Sequence, residues 1–188
     1  WRAKIGLIVP PGNIVIEPEL YAMAPKDVAI FTARIGVNSV PIPPPYTKCR
    51  LSKMVRDIEQ AARELRVINS RFRKLDVVIF GCTSGSYLEG PTWNQRITKR
   101  IARIADTDVI TTSTAVVNAL RVMKMERIVM ATPYSEQINK RGMKFLESQG
   151  FEVLRVGSVE QRFSHLPLAA YNLVRSLKTD DSDGVFIS

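Results

Sequence analysis

The feature that most restricts the fold is an alternation of short apolar runs with segments of helical spacing. Continuously apolar strands are typical of a parallel sheet that is covered by helices on both faces. The alternation therefore predicts an α/β class chain with a doubly wound parallel arrangement. The predicted strands are Lys4–Val9, Val28–Ile35, Asp76–Phe80, Val109–Thr111, Arg127–Ala131, Phe151–Val156 and Gly184–Ile187. Helical spacing lies between them, at Leu51, Met54, Val55, Ile58, Ala62 and Leu65, at Val116, Ala119, Leu120 and Met123, and at Ile138, Phe145 and Leu146.

Polar loops follow four of the predicted strands, two in each half of the chain. Ligands of open parallel sheets collect at the carboxyl ends of strands. The pattern favours two similar lobes, residues 1–111 and 112–188, with an active site in the cleft between them. The loops are Pro10–Asn13, Gly81–Ser86, Thr132–Ser135 and Ser188 itself.

Composition restricts the class of protein. The 188 residues are 45% hydrophobic, which suffices for a packed core, and the formal net charge is +9. Basic residues fall mainly on predicted helix faces near Asp or Glu, without interleaved aromatic residues, so a nucleic-acid partner is not predicted. No apolar run approaches the roughly 20 residues that span a bilayer. We expect a soluble cytoplasmic protein without a membrane partner.

The chain lacks the usual signatures of metal and nucleotide sites. It has one histidine, His165, and two cysteines, Cys49 and Cys82, which form no disulfide framework. No phosphate-binding glycine motif or paired metal-ligand spacing occurs. We therefore expect neither a cofactor nor a metal, and we interpret His165 as a surface or capping residue.

Cys82 is the strongest candidate for chemistry. It follows a predicted strand and lies in Gly81-Cys82-Thr83-Ser84-Gly85-Ser86, where backbone amides and hydroxyl groups are plentiful. Such donors favour the thiolate, which is the reactive form of cysteine. The alternative is a buried cysteine that acts as a small hydrophobic residue.

Four further residues could bind a substrate. Thr83 and Ser84 can hold a carboxylate or an enediolate, although the same residues could simply cap a helix. Asn13 can donate from its amide, although Pro-Gly-Asn is also an ordinary turn. Tyr134, at the start of a predicted helix, could bind or protonate a substrate, or could be a core tyrosine.

Several segments together resemble a known family. Ile5 to Asn13 followed by Glu17-Pro18-Glu19 looks like the amino-terminal signature of maleate isomerases and arylmalonate decarboxylases, in the aspartate/glutamate racemase superfamily. The other matching segments, in the same order and spacing, are Gly81–Ser86, Thr111–Ala115 with Asn118–Leu120, Ala131–Tyr134, Phe145–Glu147 and Gly150–Val153.

The resemblance implies a cofactor-independent enzyme that acts on a small carboxylic acid, with a homo-oligomeric assembly expected. Cys82 matches the first-lobe cysteine of the isomerases and racemases, where the decarboxylases have glycine. The remaining matches, all implied substrate-binding or pocket-lining residues, are Asn13, Thr83, Ser84, Tyr134, Pro10, Pro11 and Tyr46.

The chain departs from the family pattern at two places. Near residues 159–162, where the isomerases often have a substrate-contacting asparagine, the equivalent here is Arg162. The second family cysteine directly follows a strand like Gly184–Ser188, and we expect it beyond Ser188 in a longer protein.

The resulting prediction is a maleate cis–trans isomerase-like enzyme with Cys82 as its nucleophile. An Asp/Glu-type amino-acid racemase and an arylmalonate-type decarboxylase are the enzymatic alternatives. A small-acid binding protein is the non-enzymatic alternative.

Overall fold

The computed structural model of the chain describes residues 1–36, 48–71, 74–159 and 167–188. These ranges contain seven strands and seven helices that mostly alternate. The strands are β1 (Ala3–Val9), β2 (Val28–Arg34), β3 (Val77–Phe80), β4 (Val109–Thr111), β5 (Arg127–Thr132), β6 (Glu152–Ser158) and β7 (Gly184–Ile187). The helices are α1 (Ile16–Met23), α2 (Lys48–Arg71), α3 (Thr83–Ser86), α4 (Trp93–Ala105), α5 (Thr112–Val122), α6 (Glu136–Ser148) and α7 (Pro167–Ser176).

The first compact unit comprises Trp1–Ser86 and Asn94–Thr112. Its four strands pair in parallel in the order β2-β1-β3-β4. The central strand β1 is buried almost continuously, as is typical of a parallel sheet that helices cover on both faces. The fully buried side chains include Leu7, Ile8, Val9, Val78 and Phe80 of the sheet with Ile58 of α2 and Ile97 and Ile101 of α4.

The second unit comprises Tyr87–Trp93 and Ser113–Ser188. Its three strands are also parallel, in the order β6-β5-β7. The Tyr87 ring stacks on Phe145 of α6 with 6.2 Å between ring centroids, which anchors the segment before α4 to this core. The other buried members of the core are Val117, Leu120, Ile128, Met130, Leu146, Phe151 and Val153.

The predicted α/β class and the parallel strands are confirmed. Every predicted strand is present, with ends that shift by at most two residues. Helical spacing does not reveal α1 or α7, because no residue of α1 and no described side chain of α7 is buried, so neither helix has a fully buried apolar face. The predicted proline-rich loop Pro41–Tyr46 lies outside the described residues.

Parallel pairing brings the carboxyl ends of neighbouring strands to one edge of each sheet. In the first unit β1 is hydrogen-bonded to both β2 and β3, so the loops after Val9 and Phe80 are neighbours. In the second unit Thr132, Ser158 and Ser188 lie at or just after the ends of adjacent strands. Among the helices in the described ranges, none is long and apolar enough to cross a membrane.

Candidate active site

Cys82 lies between β3 and the single turn of α3. The Gly81 N–H donates to Ile8 O at 2.8 Å, which continues the sheet up to the cysteine. The Ser86 N–H donates to Cys82 O at 3.0 Å and starts the turn. Cys82 is a free thiol with 7% of its surface exposed. Backbone hydrogen bonds on both sides therefore hold Cys82 at the carboxyl edge of the sheet of the first unit.

Two opposing effects act on the Cys82 thiol. Burial raises its pKa above the ordinary value, and hydrogen bonds from the Gly85 backbone and the Ser84 side chain lower it by less. The donors expected from the motif are thus present at the sulfur, but desolvation outweighs them. The interpretation that the donors favour the thiolate therefore has to be corrected, because burial opposes the donors and has the larger effect on the pKa.

The glycines on either side of Cys82 are required by close packing. A Cβ added at Gly85 would lie 2.7 Å from Cys82 Sγ and 3.3 Å from the Phe80 ring. A Cβ at Gly81 would lie 2.7 Å from the Ile16 side chain, the first residue of α1. The motif is therefore small on both sides because the sulfur and α1 approach the backbone closely.

The predicted carboxylate-binding residues Thr83 and Ser84 form the first half of α3. Both are partly exposed, unlike Cys82, Gly85 and Ser86. The Ser86 hydroxyl donates to Thr83 O at 2.7 Å and closes the turn on itself. The structure therefore places the Thr83 and Ser84 side chains beside the buried thiol and within reach of solvent.

The loop after β1 contains Pro10, Pro11 and Asn13, all partly exposed. The Asn13 N–H donates to Pro10 O at 3.1 Å, which closes a turn. Asn13 Oδ1 accepts from the Val15 N–H at 3.0 Å and from the Ile16 N–H at 3.1 Å, so it caps α1. The turn and a substrate contact of Asn13 are compatible, because these backbone contacts use the side-chain oxygen and not the amide nitrogen.

Arg34, the last residue of β2, contacts the Pro10–Asn13 loop and is not among the residues predicted for the site. Its Nη1 donates to Pro10 O, Pro11 O and Asn13 O at 3.1 to 3.3 Å, while its Nη2 pairs with Glu17. Glu17, the first glutamate of the Glu-Pro-Glu signature, thus holds Arg34, and Arg34 in turn holds the Pro10–Asn13 loop. The available sequence signal was an arginine that ends a mainly apolar strand.

Tyr134 belongs to the second unit, in the loop between β5 and α6. The Ser188 hydroxyl donates to Tyr134 Oη at 3.0 Å, and the Ser188 N–H donates to Ala131 O at 3.0 Å. A cavity of about 30 Å³, large enough for one water molecule, adjoins these strand ends. Its lining residues include Thr132, Pro133, Val159, Leu173 and Ser188.

A buried asparagine of α6, Asn139, lies beneath the Tyr134 loop and was also missed. Its Oδ1 accepts from Thr132 Oγ1 at 2.7 Å, and its Nδ2 donates to Ser158 Oγ at 2.6 Å and to Tyr134 O at 3.2 Å. Asn139 lies on the buried face of α6 with Gly142, Phe145 and Leu146. A polar residue on an apolar helix face was the signal that could have revealed it.

Tyr46, Arg162 and His165 lie outside the described residues, as does the side chain of Cys49. Within the described ranges, no group of three or more His, Cys, Asp or Glu side chains could hold a metal ion. The first unit thus brings together Pro10, Pro11, Asn13, Cys82, Thr83 and Ser84 at one sheet edge, and the second unit holds Tyr134.

Known proteins resemble this chain over most of its length. A maleate isomerase of Pseudomonas putida is 31% identical over 159 residues, which cover 80% of this chain and 60% of that protein. An arylmalonate decarboxylase of Bordetella bronchiseptica is 27% identical over 191 residues, which cover 98% of this chain and 75% of that protein. The chain therefore spans only about three fifths of the Pseudomonas putida relative.

Solved structures agree with this fold. A variant of the Nocardia farcinica maleate cis-trans isomerase with a covalently bound succinylcysteine intermediate matches with a TM-score of 0.80 at 21% identity, covering 97% of this chain and 76% of that one. At this identity the likeness shows the fold alone. The family model for arylmalonate decarboxylase matches residues 5–181, which is nearly the whole chain. The chain belongs to the arylmalonate decarboxylase family.

Proposed function

We propose that this chain is a cofactor-independent isomerase of a small dicarboxylic acid, of the maleate cis–trans type, with Cys82 as its nucleophile. The observation that carries the proposal is the buried Cys82 thiol with the Gly85 and Ser84 donors on its sulfur. A cysteine that served only as packing would not need hydrogen-bond donors directed at it. The maleate isomerase relatives support the substrate class.

The proposed reaction starts with addition of the Cys82 thiolate to one alkene carbon. The new S–C bond forms while the π electrons move onto the neighbouring carbon and its carboxylate, as an enediolate. The former double bond is now single and can rotate. When the electron pair returns, the S–C bond breaks and the trans diacid leaves with Cys82 as thiolate again. Covalent catalysis divides a high barrier into lower ones.

Because the pKa of Cys82 is raised, the thiol has to transfer its proton to water or to a substrate carboxylate in the complex before addition. Gly85 and Ser84 donate to the sulfur and so stabilise the thiolate once it forms. Burial also makes the free thiolate a stronger nucleophile than a well-solvated one would be, because a thiolate of higher pKa is intrinsically more nucleophilic. The arrangement therefore suits a nucleophile that becomes a thiolate only when the substrate is bound.

The enediolate charge is assigned to hydrogen-bond donors on rigid elements. Thr83 and Ser84 are the first two residues of α3, and the Asn13 loop is held by Arg34. Donors that are preorganised in this way stabilise charge that develops in the transition state. We assign Thr83, Ser84, Asn13 and Tyr134 as donors, and Pro10 and Pro11 as apolar pocket residues. Tyr46 and Arg162 stay predictions from the sequence.

Decarboxylation of an arylmalonate is the second candidate function. The family model and the Bordetella bronchiseptica relative favour it. The presence of Cys82 argues for the isomerase, because the resemblance places glycine at this position in decarboxylases. The substrate decides between the two reactions.

The test is proton NMR of the full-length gene product in heavy water, with maleate, phenylmalonate and chiral aspartate or glutamate supplied separately. Wild type, Cys82→Ser and Cys49→Ser are compared. Cys49, the other cysteine of this sequence, provides the matched control. We expect fumarate from maleate with wild type and with Cys49→Ser, and a loss of at least about 1,000-fold in Cys82→Ser, as nucleophile removal typically causes.

Each other outcome contradicts the isomerase in a distinct way. Deuterium at the α-carbon of an amino acid identifies a racemase. Release of carbon dioxide from phenylmalonate without fumarate from maleate identifies a decarboxylase. Full fumarate production by Cys82→Ser excludes Cys82 as the nucleophile, and inertness of wild type towards all substrates excludes the whole proposal.

A further inference from the structure

Asn139 forms a buried hydrogen-bond network in the second unit, and the proposed mechanism assigns no function to this network. Asn139 is 5% exposed, and its side-chain amide contacts three different segments at the carboxyl edge of the sheet. These are the end of β5 through Thr132, the end of β6 through Ser158, and the following loop through Tyr134. One amide therefore ties two strand ends and the Tyr134 loop to α6.

Tyr134 is held by this network through both of its backbone polar groups. Its N–H donates to Thr132 Oγ1 at 3.2 Å, and its C=O accepts from Asn139 Nδ2 at 3.2 Å. The Thr132 hydroxyl that accepts from Tyr134 in turn donates to Asn139 Oδ1 at 2.7 Å. The Asn139 side chain thus determines where the backbone at Tyr134 lies, and therefore where the phenol can reach.

We propose that Asn139 is a positioning residue that preorganises Tyr134 for its substrate. The proposal rests on the proposed function, in which Tyr134 donates to the developing charge. Asn139 acts on Tyr134 through the Tyr134 carbonyl and the Thr132 hydroxyl, and its contact with Ser158 fixes the Asn139 amide itself. A well-placed donor loses much of its effect when it shifts by about 1 Å, which can cost up to about 100-fold in rate.

The network also explains the residue types at the strand ends. An asparagine offers an acceptor and two donor hydrogens on one planar group, and the three contacts use both kinds. Aspartate would keep the acceptor for Thr132 but would place a carboxylate oxygen against Tyr134 O. The Thr132 hydroxyl must donate and accept at once, which valine cannot do although it has the same shape.

The first experiment is a double-mutant cycle of Asn139→Ala and Tyr134→Phe in the full-length gene product, with kcat and KM measured for the substrate that wild type converts best. We expect Tyr134→Phe to lower kcat/KM about 100-fold, as removal of a charge-stabilising donor does. Asn139→Ala should lower it about 10- to 100-fold in the wild-type background. In the Tyr134→Phe background it should lower it less than about threefold, because no phenol hydroxyl is left to position.

A conservative variant and a matched control separate positioning from general damage. Thr132→Val removes both hydroxyl contacts with little change of shape and should show the same dependence on Tyr134. Ser148→Ala removes another hydroxyl contact of α6, the bond to Phe145 O, and should leave kcat/KM within about twofold. Equal losses from Asn139→Ala in both backgrounds would overturn the proposal, as would full activity of Tyr134→Phe together with impaired Asn139→Ala.

The second experiment does not depend on turnover. Amide hydrogen exchange by NMR compares the Tyr134 N–H, which the network holds, with the Ser188 N–H, which bonds to Ala131 O in the same unit. In Asn139→Ala and Thr132→Val the Tyr134 amide should exchange at least about 10-fold faster, while the Ser188 amide changes by less than about twofold. Equal acceleration of both amides would show general destabilisation and would overturn the inference.

The two experiments distinguish failure of this inference from failure of the proposed function. If wild type makes no fumarate but decarboxylates phenylmalonate, the isomerase is wrong, and the cycle on phenylmalonate still tests Asn139. If wild type converts no substrate, the exchange measurement alone decides whether Asn139 holds Tyr134. If fumarate forms but the cycle is additive, only the role of Asn139 is wrong.

Discussion

Cys82 shows how a single residue can be recognised from its neighbours and still be misjudged in its ionisation. The Gly81–Ser86 motif correctly predicts a cysteine beside hydrogen-bond donors. The direction of its pKa depends on burial, which reflects atoms from the whole unit. Desolvation raises the pKa because it disfavours the charged form.

The pH dependence of Cys82 alkylation tests this balance. The thiolate is the reactive form, so the rate at which iodoacetamide modifies Cys82, followed on the Cys82 peptide by mass spectrometry, should rise about tenfold per pH unit. Because the folded pKa is raised, the rise should continue beyond pH 8.5, near the usual cysteine pKa. Ser84→Ala removes one donor and should slow the reaction further at pH 8. A plateau below pH 7.5 would show that the donors outweigh burial.

Gly85 provides a second test at the residue scale. Gly85→Ala places a Cβ 2.7 Å from Cys82 Sγ, so either the sulfur or the backbone must move. We expect a loss of about 1–3 kcal/mol in the free energy of unfolding, as for other overpacked sites. Urea denaturation measures it, with Gly12→Ala as the control because a Cβ there meets no atom within 4 Å. Equal stability of the two variants would contradict the packing argument.

At the scale of elements, the strands were predictable and the contacts that join their ends were not. Each strand is a local apolar run, which a sequence displays directly. Arg34 contacts Pro10, Pro11 and Asn13, which lie 21 to 24 residues away. Only the parallel pairing of β1 with β2, which sets Val9 opposite Arg34, brings them together.

Arg34→Ala should loosen the Pro10–Asn13 loop and weaken substrate binding. Three carbonyl contacts and the Glu17 ion pair are lost together. We expect KM to rise about 10-fold and kcat to fall as well, because Asn13 is proposed both to bind the substrate carboxylate and to donate to the enediolate. Steady-state kinetics measures the changes in KM and kcat separately. Arg63→Ala, which removes an exposed ion pair with Glu59 on α2, is the control. A KM unchanged from that control would exclude the loop-holding role.

Asp181 links the loop before β7 to β6 by two contacts with the Arg155 guanidinium, at 2.6 and 2.8 Å. The Arg155 hydrogen bonds lower the pKa of Asp181 to about 2. Because the folded pKa is lower than the unfolded value of about 3.9, the contribution to stability is present above pH 4 and is lost as the pH falls towards 2.

The corresponding prediction concerns acid unfolding of Asp181→Asn. The urea midpoint of wild type should exceed that of Asp181→Asn at pH 5, and the difference should shrink between pH 4 and pH 2. Asp106→Asn, an exposed aspartate that pairs with Lys74, is the control and should follow wild type closely. A difference that stays constant down to pH 2 would show that Asp181 acts through its shape rather than its charge.

At the scale of the whole molecule, net charge is a weak guide to partners. The chain carries 27 Lys and Arg against 18 Asp and Glu, which alone would favour a nucleic-acid binder. In the structure several of these cations pair with carboxylates, and Glu59 contacts both Arg63 and Arg100. The cations on those helix faces are thus partly neutralised.

We therefore expect no tight nucleic-acid binding. Fluorescence anisotropy with a labelled duplex of about 20 base pairs should show no saturation at micromolar protein in 200 mM NaCl, where a protein with many phosphate contacts has already lost most of its affinity. The same titration in 50 mM NaCl is the comparison. Submicromolar binding in low salt that falls steeply with added salt would instead support the hypothesis that the chain binds nucleic acid.

The sequence by itself determined the α/β class, the positions of the strands along the chain and the loops that bear Cys82, Asn13 and Tyr134. These features depend on local periodicity and short motifs, which are properties of the sequence and do not change when the chain folds. Only the tertiary structure decided that Cys82 is buried, that Arg34 holds the Asn13 loop and that Asn139 holds the Tyr134 backbone. Those facts depend on desolvation and on hydrogen bonds between separate elements, whose geometry exists only after the strands have paired and the helices have packed.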